Sequence, residues 1–457
     1  MKNKSNSTKN KVIRIAVTGT VVLTMTFAAF ILPLRPKVSE AEKRELAKFP
    51  EFSVTALLSG TYFSDIASWF SDTVPFRDTL VAINSKFQHI LGTATVLKGF
   101  NEAKRGDDIP DVPNTSSDSP TSDGTSEVQM DSPSGIPSEI TSAPETQPQG
   151  EYAGLVQKFD SILVAGNSGY EYYNFNQAAS DAYVAAVNAA GNRLNGRAKV
   201  YSMIIPTSID ITLDERVRKK VNVSDQKKAI DYMEGSMNQN VVRVEIFDAL
   251  KAHKDEYIYF RTDHHWTGLG AYYAYVRFCE IKGIQALPLS TYTVRSFDNF
   301  LGSFYKDSGN DPALGASPDV VDTYTPPCGT KMTVTEKSGN TLVTPMIYNA
   351  TNNKPAYKYS AFIYGDNPFT VIENTDMTSG DALILVKESF GNAIAPLFTY
   401  HYKYVYVVDY RYYSGKLDAL VNTAKSACGG NVDVLYCNNI SMTRASGQVT
   451  KLAAVLA

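Results

Sequence analysis

The sequence contains few cysteines, little tryptophan and no surplus of basic residues. Its 457 residues include 4 Cys and 2 Trp, and 44 Lys and Arg stand against 47 Asp and Glu, for a formal net charge of -3. Without a basic surplus there is little charge to neutralise phosphates, which argues against a nucleic-acid-binding protein. Hydrophobic residues make up 43% and charged residues 20%. These fractions are typical of globular domains and exclude a wholly disordered, collagen-like or multi-span membrane protein.

The four cysteines do not form a metal-binding pattern. They include no C-x-x-C pair and have no histidine at ligand spacing, so no zinc site is predicted. Outside the cytoplasm the four cysteines could form two disulfides, and Cys428 and Cys437 are near enough in sequence to close a small loop. Buried free thiols are the alternative. We predict neither a cofactor nor a metal.

One long apolar run lies near the N-terminus. Residues 15–32 carry no charge, and about 18–20 such residues are enough to span a bilayer as a helix. Five basic residues precede the run and two follow closely, a bias that places the N-terminus in the cytoplasm. A cleaved signal peptide is the alternative, but the run is long for one and no small-x-small cleavage site precedes the next charges. We therefore predict a cytoplasmic tail over 1–14, an uncleaved cell-membrane anchor over 15–34 and an extracytoplasmic body.

Two segments separate the anchor from the main domain. Over residues 35–105, apolar side chains recur at helical spacing on both sides of the tripeptide Pro75-Phe76-Arg77, which predicts a helical juxtamembrane segment. Ser, Thr, Pro, Asp and Glu dominate residues 106–150, and no Lys or Arg occurs there. Such a composition buries too little apolar surface to offset the entropy of ordering, so we predict a disordered acidic linker.

Residues 151–457 are predicted to form one α/β domain. Short apolar strands at 161–164, 199–205, 241–247, 382–386, 404–408 and 432–436 alternate with helices, the clearest at 177–194 and 267–281. This alternation is typical of an α/β sandwich with a mostly parallel sheet. Residues 290–380 interrupt it and are predicted to be β-rich insertions and loops.

The pentapeptide Asp263-His264-His265-Trp266-Thr267 lies between a predicted strand and a predicted helix. Ligands of open α/β sheets bind at the carboxyl ends of strands, which makes this a candidate site. Side chains alternate in an extended stretch, so Asp263 and His265 should point one way and His264 the other, into packing or a separate hydrogen bond. A carboxylate beside an imidazole can fix its tautomer and stabilise the imidazolium, as in a catalytic triad. Thr267 is predicted to cap the helix.

Ser389 is the candidate nucleophile. It follows the strand predicted at 382–386 and precedes Gly391 and a predicted helix. A serine at a tight strand-to-helix turn is exposed, and its own amide and the next ones can act as oxyanion donors. The alternative is that Ser389 only caps the helix. Ser303 is a rival nucleophile, ranked lower because no apolar strand precedes it; lining the pocket is its other interpretation.

A metal site formed by Asp263, His264 and His265 is the competing interpretation of the motif. Neighbouring residues rarely all bind one ion, and no further His/Glu pair at ligand spacing is evident in the sequence. We therefore favour the triad over the metal site.

The residues Asp263-His264-His265-Trp266 resemble the signature of the DHHW protein family, whose members are membrane-anchored extracytoplasmic proteins. That family is in turn similar to the alginate O-acetylation proteins. The resemblance implies an SGNH-hydrolase-like three-layer sandwich in which a D-x-H-W motif supplies Asp and His and a downstream Ser completes a triad. By position, Asp263, His265 and Ser389 match these three. Residues 42–50 and 75–77 also resemble the N-terminal pattern of these proteins.

The same resemblance implies candidates for oxyanion and substrate contacts. They are Asn392, Gly365, Asn367 and Tyr305. The order Asp, His, Ser along this chain reverses that of most SGNH hydrolases, in which the serine comes first.

Two functional hypotheses follow. In the first, Ser389 takes an acetyl group and passes it to a sugar hydroxyl or to water, which makes the protein an O-acetyltransferase or acetylesterase. The resemblance implies a cell-surface polysaccharide as substrate. It also implies a membrane-bound O-acyltransferase as partner, because acetyl-CoA does not exist outside the cell. In the second, the fold is a non-catalytic envelope or glycan-binding surface protein that binds through tyrosine-rich loops such as 400–413.

Overall fold

The structure is a computed structural model. It describes residues 38–39, 44–45, 48–50, 52–53, 62, 66, 69, 73, 109–110, 156–158, 162–444 and 446–456. The predicted tail and anchor lie outside these residues, as does the predicted linker apart from 109–110. Within the described residues, no helix is both long enough and apolar enough to cross a membrane.

The chain divides into two units, Met1–Ala94 and Thr95–Ala457. In the first unit, β1 (Val38–Ser39) and β2 (Arg44–Glu45) pair antiparallel. Tyr62, Ile66 and Trp69 are helical. The remainder of the predicted juxtamembrane helix lies outside the described residues.

The second unit contains the other described strands. In chain order they are β3 (Val156–Lys158), β4 (Ile162–Ala165), β5 (Ser168–Glu171), β6 (Lys199–Ile205), β7 (Val241–Arg243), β8 (Thr293–Phe300), β9 (Asp319–Thr325), β10 (Thr330–Thr335), β11 (Thr341–Thr344), β12 (Phe369–Asn374), β13 (Gly380–Lys387), β14 (Tyr404–Asp409) and β15 (Gly429–Asn439). Eight of them form one sheet in the order β11-β10-β12-β14-β13-β15-β6-β7. The strands β3-β4-β5 and β8-β9 form two smaller sheets.

The helices of the second unit connect these strands. They are α1 (Gln177–Leu194), α2 (Ser208–Ile211), α3 (Glu215–Arg218), α4 (Gln226–Gly235), α5 (Phe247–Ala252), α6 (Gly268–Lys282), α7 (Ser303–Asp307), α8 (Pro312–Gly315), α9 (Gly391–Phe398), α10 (Leu417–Cys428) and α11 (Ser446–Ala454), with 3-10 helices at Leu289–Thr291, Pro355–Ala361 and Ile440–Arg444. The predicted helix at 177–194 and the strand at 199–205 match α1 and β6 residue for residue.

The large sheet is mixed, so the prediction of a mostly parallel sheet is wrong. Strands β14, β13, β15, β6 and β7 run parallel. Strands β12, β10 and β11 extend the sheet with antiparallel pairs. These three come from residues 290–380, which were predicted to be insertions. In β10 and β12, residues alternate between buried and less buried, as in a half-solvated antiparallel sheet. The continuous apolar runs that the sequence shows belong only to the parallel half.

Helices cover both faces of the sheet and give three layers. In β13, Leu383 and Leu385 face a core shared with α6 and α9, whereas Ile384 and Val386 face a core shared with α1 and α10. This alternation follows from the period of two residues along a strand. Strand β13 is thus buried on both faces, which holds its carboxyl end in place.

The four cysteines are free. Cys428 lies in the core on one face of the large sheet, and Cys437 lies in the core on the other face. The disulfide that the sequence left open between these two is therefore not formed, and both are buried thiols.

Candidate active site

The motif lies in a loop that closes on itself. Tyr259 and Trp266 form an antiparallel bridge, and the Phe260 amide donates to the His265 carbonyl at 3.2 Å. Residues 261–265 between them are bends. The expectation of an extended stretch at the end of a sheet strand is therefore wrong, and strict alternation of side chains does not apply here.

Two residues fasten this loop to the rest of the domain. Trp266 is fully buried, and its indole N–H donates to the Phe390 carbonyl at 2.9 Å, next to Ser389 in sequence. Thr267 caps α6, as predicted, because its hydroxyl oxygen accepts the Gly270 amide at 3.2 Å. The motif and the Ser389 turn are thus linked by a buried hydrogen bond.

Ser389 lies in the turn between β13 and α9. The N-cap residue of α9 is Phe390, and no cap hydrogen bond is made by the side chain of that residue or by the Ser389 hydroxyl. The alternative interpretation of Ser389 as a helix cap therefore does not hold. Its hydroxyl oxygen lies 2.7 Å from Nε2 of His265 instead.

Asp263, His265 and Ser389 form one hydrogen-bonded chain. Nδ1 of His265 lies 2.5 Å from Oδ1 of Asp263, which also accepts the His265 amide at 3.1 Å. Both residues are buried. His265 and Ser389 are 124 positions apart, so only the tertiary fold brings them together. The predicted proximity of the three side chains is observed.

Electrostatics favour an ionised Asp263 and a neutral His265. Burial alone would raise the pKa of Asp263, but the two imidazoles and the hydrogen bonds from His265 and Ser303 outweigh it and hold that pKa below its usual range. Burial lowers the pKa of His265 to about 4, and repulsion from His264 acts in the same direction against the attraction of Asp263. At neutral pH His265 is therefore free to accept a proton.

The amides after Ser389 are already hydrogen-bonded, contrary to expectation. The Phe390 amide donates to the Glu388 carboxylate at 2.9 Å, and the Gly391 amide donates to the Glu388 carbonyl at 2.9 Å. The Asn392 amide donates to the Ser389 carbonyl at 3.1 Å. The Ser389 amide is the oxyanion donor candidate that remains at this turn.

Of the four predicted contact residues, Asn392 lies in a charged network beneath the turn. Its side-chain amide donates to Asp366 at 2.8 Å, and Asp366 also contacts Lys387 at 3.3 Å and Arg411 at 2.9 Å. Burial would raise the pKa of Asp366, but Lys387 and Arg411 outweigh it and lower that pKa. This carboxylate therefore stays ionised and fixes the orientation of Asn392.

The other three predicted residues make local contacts. Gly365 has φ +79°, and its amide donates to the Phe362 carbonyl at 2.9 Å. The Asn367 side chain donates to the Tyr364 carbonyl at 3.1 Å. The Tyr305 ring lies against Gly315, where an added Cβ would meet it at 2.9 Å. None of these contacts places the three residues at Ser389.

Tyr359 is a site residue that sequence reasoning missed. Its ring stacks on His265 with centroids 4.0 Å apart, and its hydroxyl donates to the Ser389 carbonyl at 3.0 Å. It lies in the 3-10 helix Pro355–Ala361, within the stretch predicted to be an insertion. No motif surrounds it, so only the tertiary contact reveals it.

His264 does not point away from the site. Its ring centroid lies 3.9 Å from that of His265, and its Nδ1 lies 2.7 Å from the Ser303 hydroxyl. The predicted separate hydrogen bond is present, but the predicted opposite orientation is wrong because the loop is bent. Ser303, the rival nucleophile, contacts His264 and lines the site.

The motif residues are also the group of described residues that could hold a metal ion. Candidate ligand atoms of Asp263, His264 and His265 lie within 4.8 Å of one another. However, Asp263 Oδ1 and His265 Nδ1 are 2.5 Å apart. Two ligands about 2.0–2.2 Å from one tetrahedral zinc lie roughly 3.3 Å or more apart. These two atoms therefore form a hydrogen-bonded pair and are too close together to be two ligands of one ion.

The fold and the site together define a class: a three-layer α/β protein with a large mixed sheet and a hydrogen-bonded Ser-His-Asp constellation at the carboxyl end of a central strand. The chain belongs to the DHHW protein family, whose sequence pattern matches residues 42–408. The resemblance drawn from the motif is thereby confirmed. No curated protein sequence matches the chain.

Solved structures of a DHHW family protein and of PatB1 share the fold. A DHHW family protein from Eubacterium siraeum is 25% identical, with a TM-score of 0.59 over 66% of this chain and 99% of that chain. PatB1 from Bacillus cereus, solved with a sulfonyl adduct, is 18% identical, with a TM-score of 0.51 over 65% of this chain and 98% of that chain. The O-acetyltransferase domain of Pseudomonas putida AlgJ is 12% identical, with a TM-score of 0.33 over 64% of this chain and 98% of that chain. At 18% identity, the PatB1 likeness shows the fold alone.

Proposed function

We propose that this protein is a membrane-anchored, extracytoplasmic O-acetyltransferase or acetylesterase that acts on a cell-surface polysaccharide. In this proposal Ser389 is the nucleophile, His265 the general base and Asp263 the residue that orients His265. The membrane anchor is the predicted segment 15–34. A membrane-bound O-acyltransferase supplies the acetyl group from the cytoplasmic side.

One observation carries the catalytic part of the proposal. The His265 imidazole bridges Asp263 and Ser389 through its two nitrogens, at 2.5 Å and 2.7 Å. Nucleophile, base and orienting carboxylate in this order are the arrangement that activates a serine hydroxyl. The Ser389 hydroxyl serves no helix cap, and His265 is held neutral by burial.

The chemistry follows in two balanced steps. Ser389 Oγ attacks the acetyl carbonyl, its proton passes to Nε2 of His265, and the donor oxygen leaves with that proton. A sugar hydroxyl then attacks the acetyl-serine, gives its proton to His265, and Ser389 departs by taking this proton back. Water in place of the sugar gives the esterase reaction. In both steps Asp263 stabilises the imidazolium that forms transiently.

The choice of a polysaccharide as acceptor rests on the family and on the predicted topology. An anchor that leaves the domain outside the cell places the site where surface glycans are the abundant hydroxyl compounds. Tyr359 stacks on His265, and small-molecule sites are commonly lined by aromatic side chains.

The test is covalent labelling of Ser389 in the full chain. The protein in membranes is treated with phenylmethylsulfonyl fluoride, and the modified residue is located by mass spectrometry. Hydrolysis of p-nitrophenyl acetate is measured in parallel. Ser389→Ala and His265→Ala should each lower turnover by at least about 1,000-fold, and the double variant should lose little more, because the pair acts as a unit.

The matched control is Ser338→Ala. Ser338 is an exposed serine in the turn between β10 and β11, and its hydroxyl donates to the Glu336 carboxylate at 3.4 Å and accepts the Asn340 amide at 3.3 Å, both within that turn. This variant should keep full labelling and turnover. Labelling spread over several serines, or equal turnover in Ser389→Ala and the parent, would contradict the proposed function.

A further inference from the structure

A second imidazole–hydroxyl pair adjoins the proposed triad. The Ser303 hydroxyl lies 2.7 Å from Nδ1 of His264 and accepts the His264 amide at 3.3 Å. The Ser303 amide in turn donates to Oδ2 of Asp263 at 2.8 Å. Ser303 therefore holds two consecutive residues of the motif at once.

The segment that carries Ser303 is fastened to the motif at several points. The Gly302 amide donates to the Thr262 hydroxyl at 3.1 Å, and the Tyr305 amide donates to the Thr262 carbonyl at 3.1 Å. A Cβ added to Gly302 would lie 2.2 Å from the Asp263 side chain. The approach is so close that only glycine fits, which makes the position of Ser303 a defined feature of the fold.

The hydroxyl of Ser303 is suited to hold a neutral His264. Its oxygen accepts the His264 amide, and its own hydrogen is then available to Nδ1. In that tautomer the ring proton of His264 resides on Nε2. Protonation of His264 reverses the direction of the Ser303 hydrogen bond without moving the ring.

His264 and His265 differ in exposure although their rings touch. The His264 side chain is 35% exposed, whereas that of His265 is 8% exposed. The ring planes are inclined by 35° with centroids 3.9 Å apart. A proton taken up by His264 from solvent thus places a positive charge directly against the proposed base, in a largely buried site where charges are poorly screened.

Other ionisable groups face the two imidazoles. Asp263 lies on the same loop and bonds to His265, and Tyr359 from the 3-10 helix stacks on it. Asp307 of α7 attracts His264, and Asp366 attracts His265. Asp366 is already paired with Lys387 and Arg411. Burial raises the pKa of Asp307, so that carboxyl is a second titrating group on the His264 side.

We propose that His264, held in place by Ser303, is a positioning residue that opposes protonation of His265 and makes activation of Ser389 depend on the charge of a second, more exposed imidazole. The proposal rests on the proposed function, in which His265 is the base. A neutral His264 permits His265 to take the Ser389 proton, and a charged His264 resists it.

Two measurements on the full chain test this. The first is the titration of 13C-labelled histidine side chains by NMR, in a protein with 5 histidines. The second is the pH dependence of Ser389 sulfonylation, in which the serine oxygen bonds to sulfur, fluoride leaves and His265 takes the proton. In the parent protein, a proton on either imidazole suppresses the reaction. The acid limb, which is the fall in sulfonylation rate toward low pH, should therefore approach the slope that corresponds to the uptake of two protons.

The main variant is His264→Gln, which keeps an acceptor for Ser303 but carries no charge. The pKa of His265 should rise by about one unit, which is a tenfold change in its protonation equilibrium. The acid limb should then have the slope that corresponds to the uptake of a single proton, by His265. Ser303→Ala, which frees the His264 ring, should shift both readouts in the same direction by less. The control is His253→Gln, a surface histidine stacked on Tyr273, which should change neither.

The outcomes separate this proposal from the proposed function. Unchanged His265 titration and unchanged slope in a folded His264→Gln variant would overturn the role of His264, whatever the activity. A shifted titration in a protein whose Ser389 cannot be sulfonylated would overturn the proposed function and leave the electrostatic coupling standing. Should His264→Gln not fold, as judged by thermal unfolding, Ser303→Ala decides with the same two readouts.

Discussion

Gly302 shows how much the site depends on one missing side chain. It lies at the start of α7, where the Ser303 amide reaches Oδ2 of Asp263. A methyl group at position 302 would meet Cβ and Oδ2 of Asp263, each at 2.2 Å. Because that contact is with the carboxylate that is hydrogen-bonded to His265, any relief must displace either Asp263 or the α7 segment.

The expected result for Gly302→Ala follows from this contact. Under the proposed function, acetyl-ester turnover should fall by about 100-fold or more, since a displacement of about 1 Å of a catalytic group has that effect. Gly447→Ala is the matched control, because nothing lies within 4 Å of a Cβ there and the residue lies in α11. Equal turnover in Gly302→Ala and the parent would show that Asp263 does not need its present position.

At the scale of the secondary-structure element, helix α4 carries a buried carboxyl group. Glu234 lies on the buried side of α4, and its Oε1 has no hydrogen-bond partner in the structure. Burial raises the pKa of Glu234 to about 8, and the nearby charges of Glu245 and Asp231 act in the same direction. The native state therefore holds a proton that the unfolded chain has released between pH 4.5 and about 8.

The sign of the effect on stability is then fixed. A raised carboxyl pKa means that stability is lost as pH rises from 4.5 to about 8, by up to about 5 kcal/mol, and is constant above. Glu234→Gln removes this loss, so its melting temperature should match the parent near pH 4.5 and exceed it increasingly up to pH 8. Glu215→Gln is the control, since that side chain is 68% exposed. Parallel pH profiles for Glu234→Gln and the parent would contradict the buried neutral state.

At the scale of the whole molecule, the prediction concerns which side of the membrane the domain occupies. The charge-flanked run at 15–34 predicts that the body is outside the cell. Protease added to intact cells should digest the second unit and leave only an N-terminal fragment protected. Digestion only after the cells are lysed, with the chain intact beforehand, would contradict this topology.

The sequence alone determined the elements whose signal is local. The continuous apolar runs of β6 and β13 marked buried parallel strands, and the periodicity of α1 marked a helix with its bounds. The carboxylate two positions before His265 and the serine after β13 identified the three members of the constellation. These features depend on residues within a few positions of one another, so they can be read from the sequence without the folded structure.

Only the tertiary structure decided the features that depend on distant contacts. The antiparallel half of the sheet carries the weaker alternation of half-buried strands, so its pairing with β14 was not visible in the sequence. The bend that places His264 against His265 is set by a bridge between Tyr259 and Trp266. Tyr359 reaches His265 and Ser389 because the 3-10 helix packs against the site, and no local pattern encodes that contact.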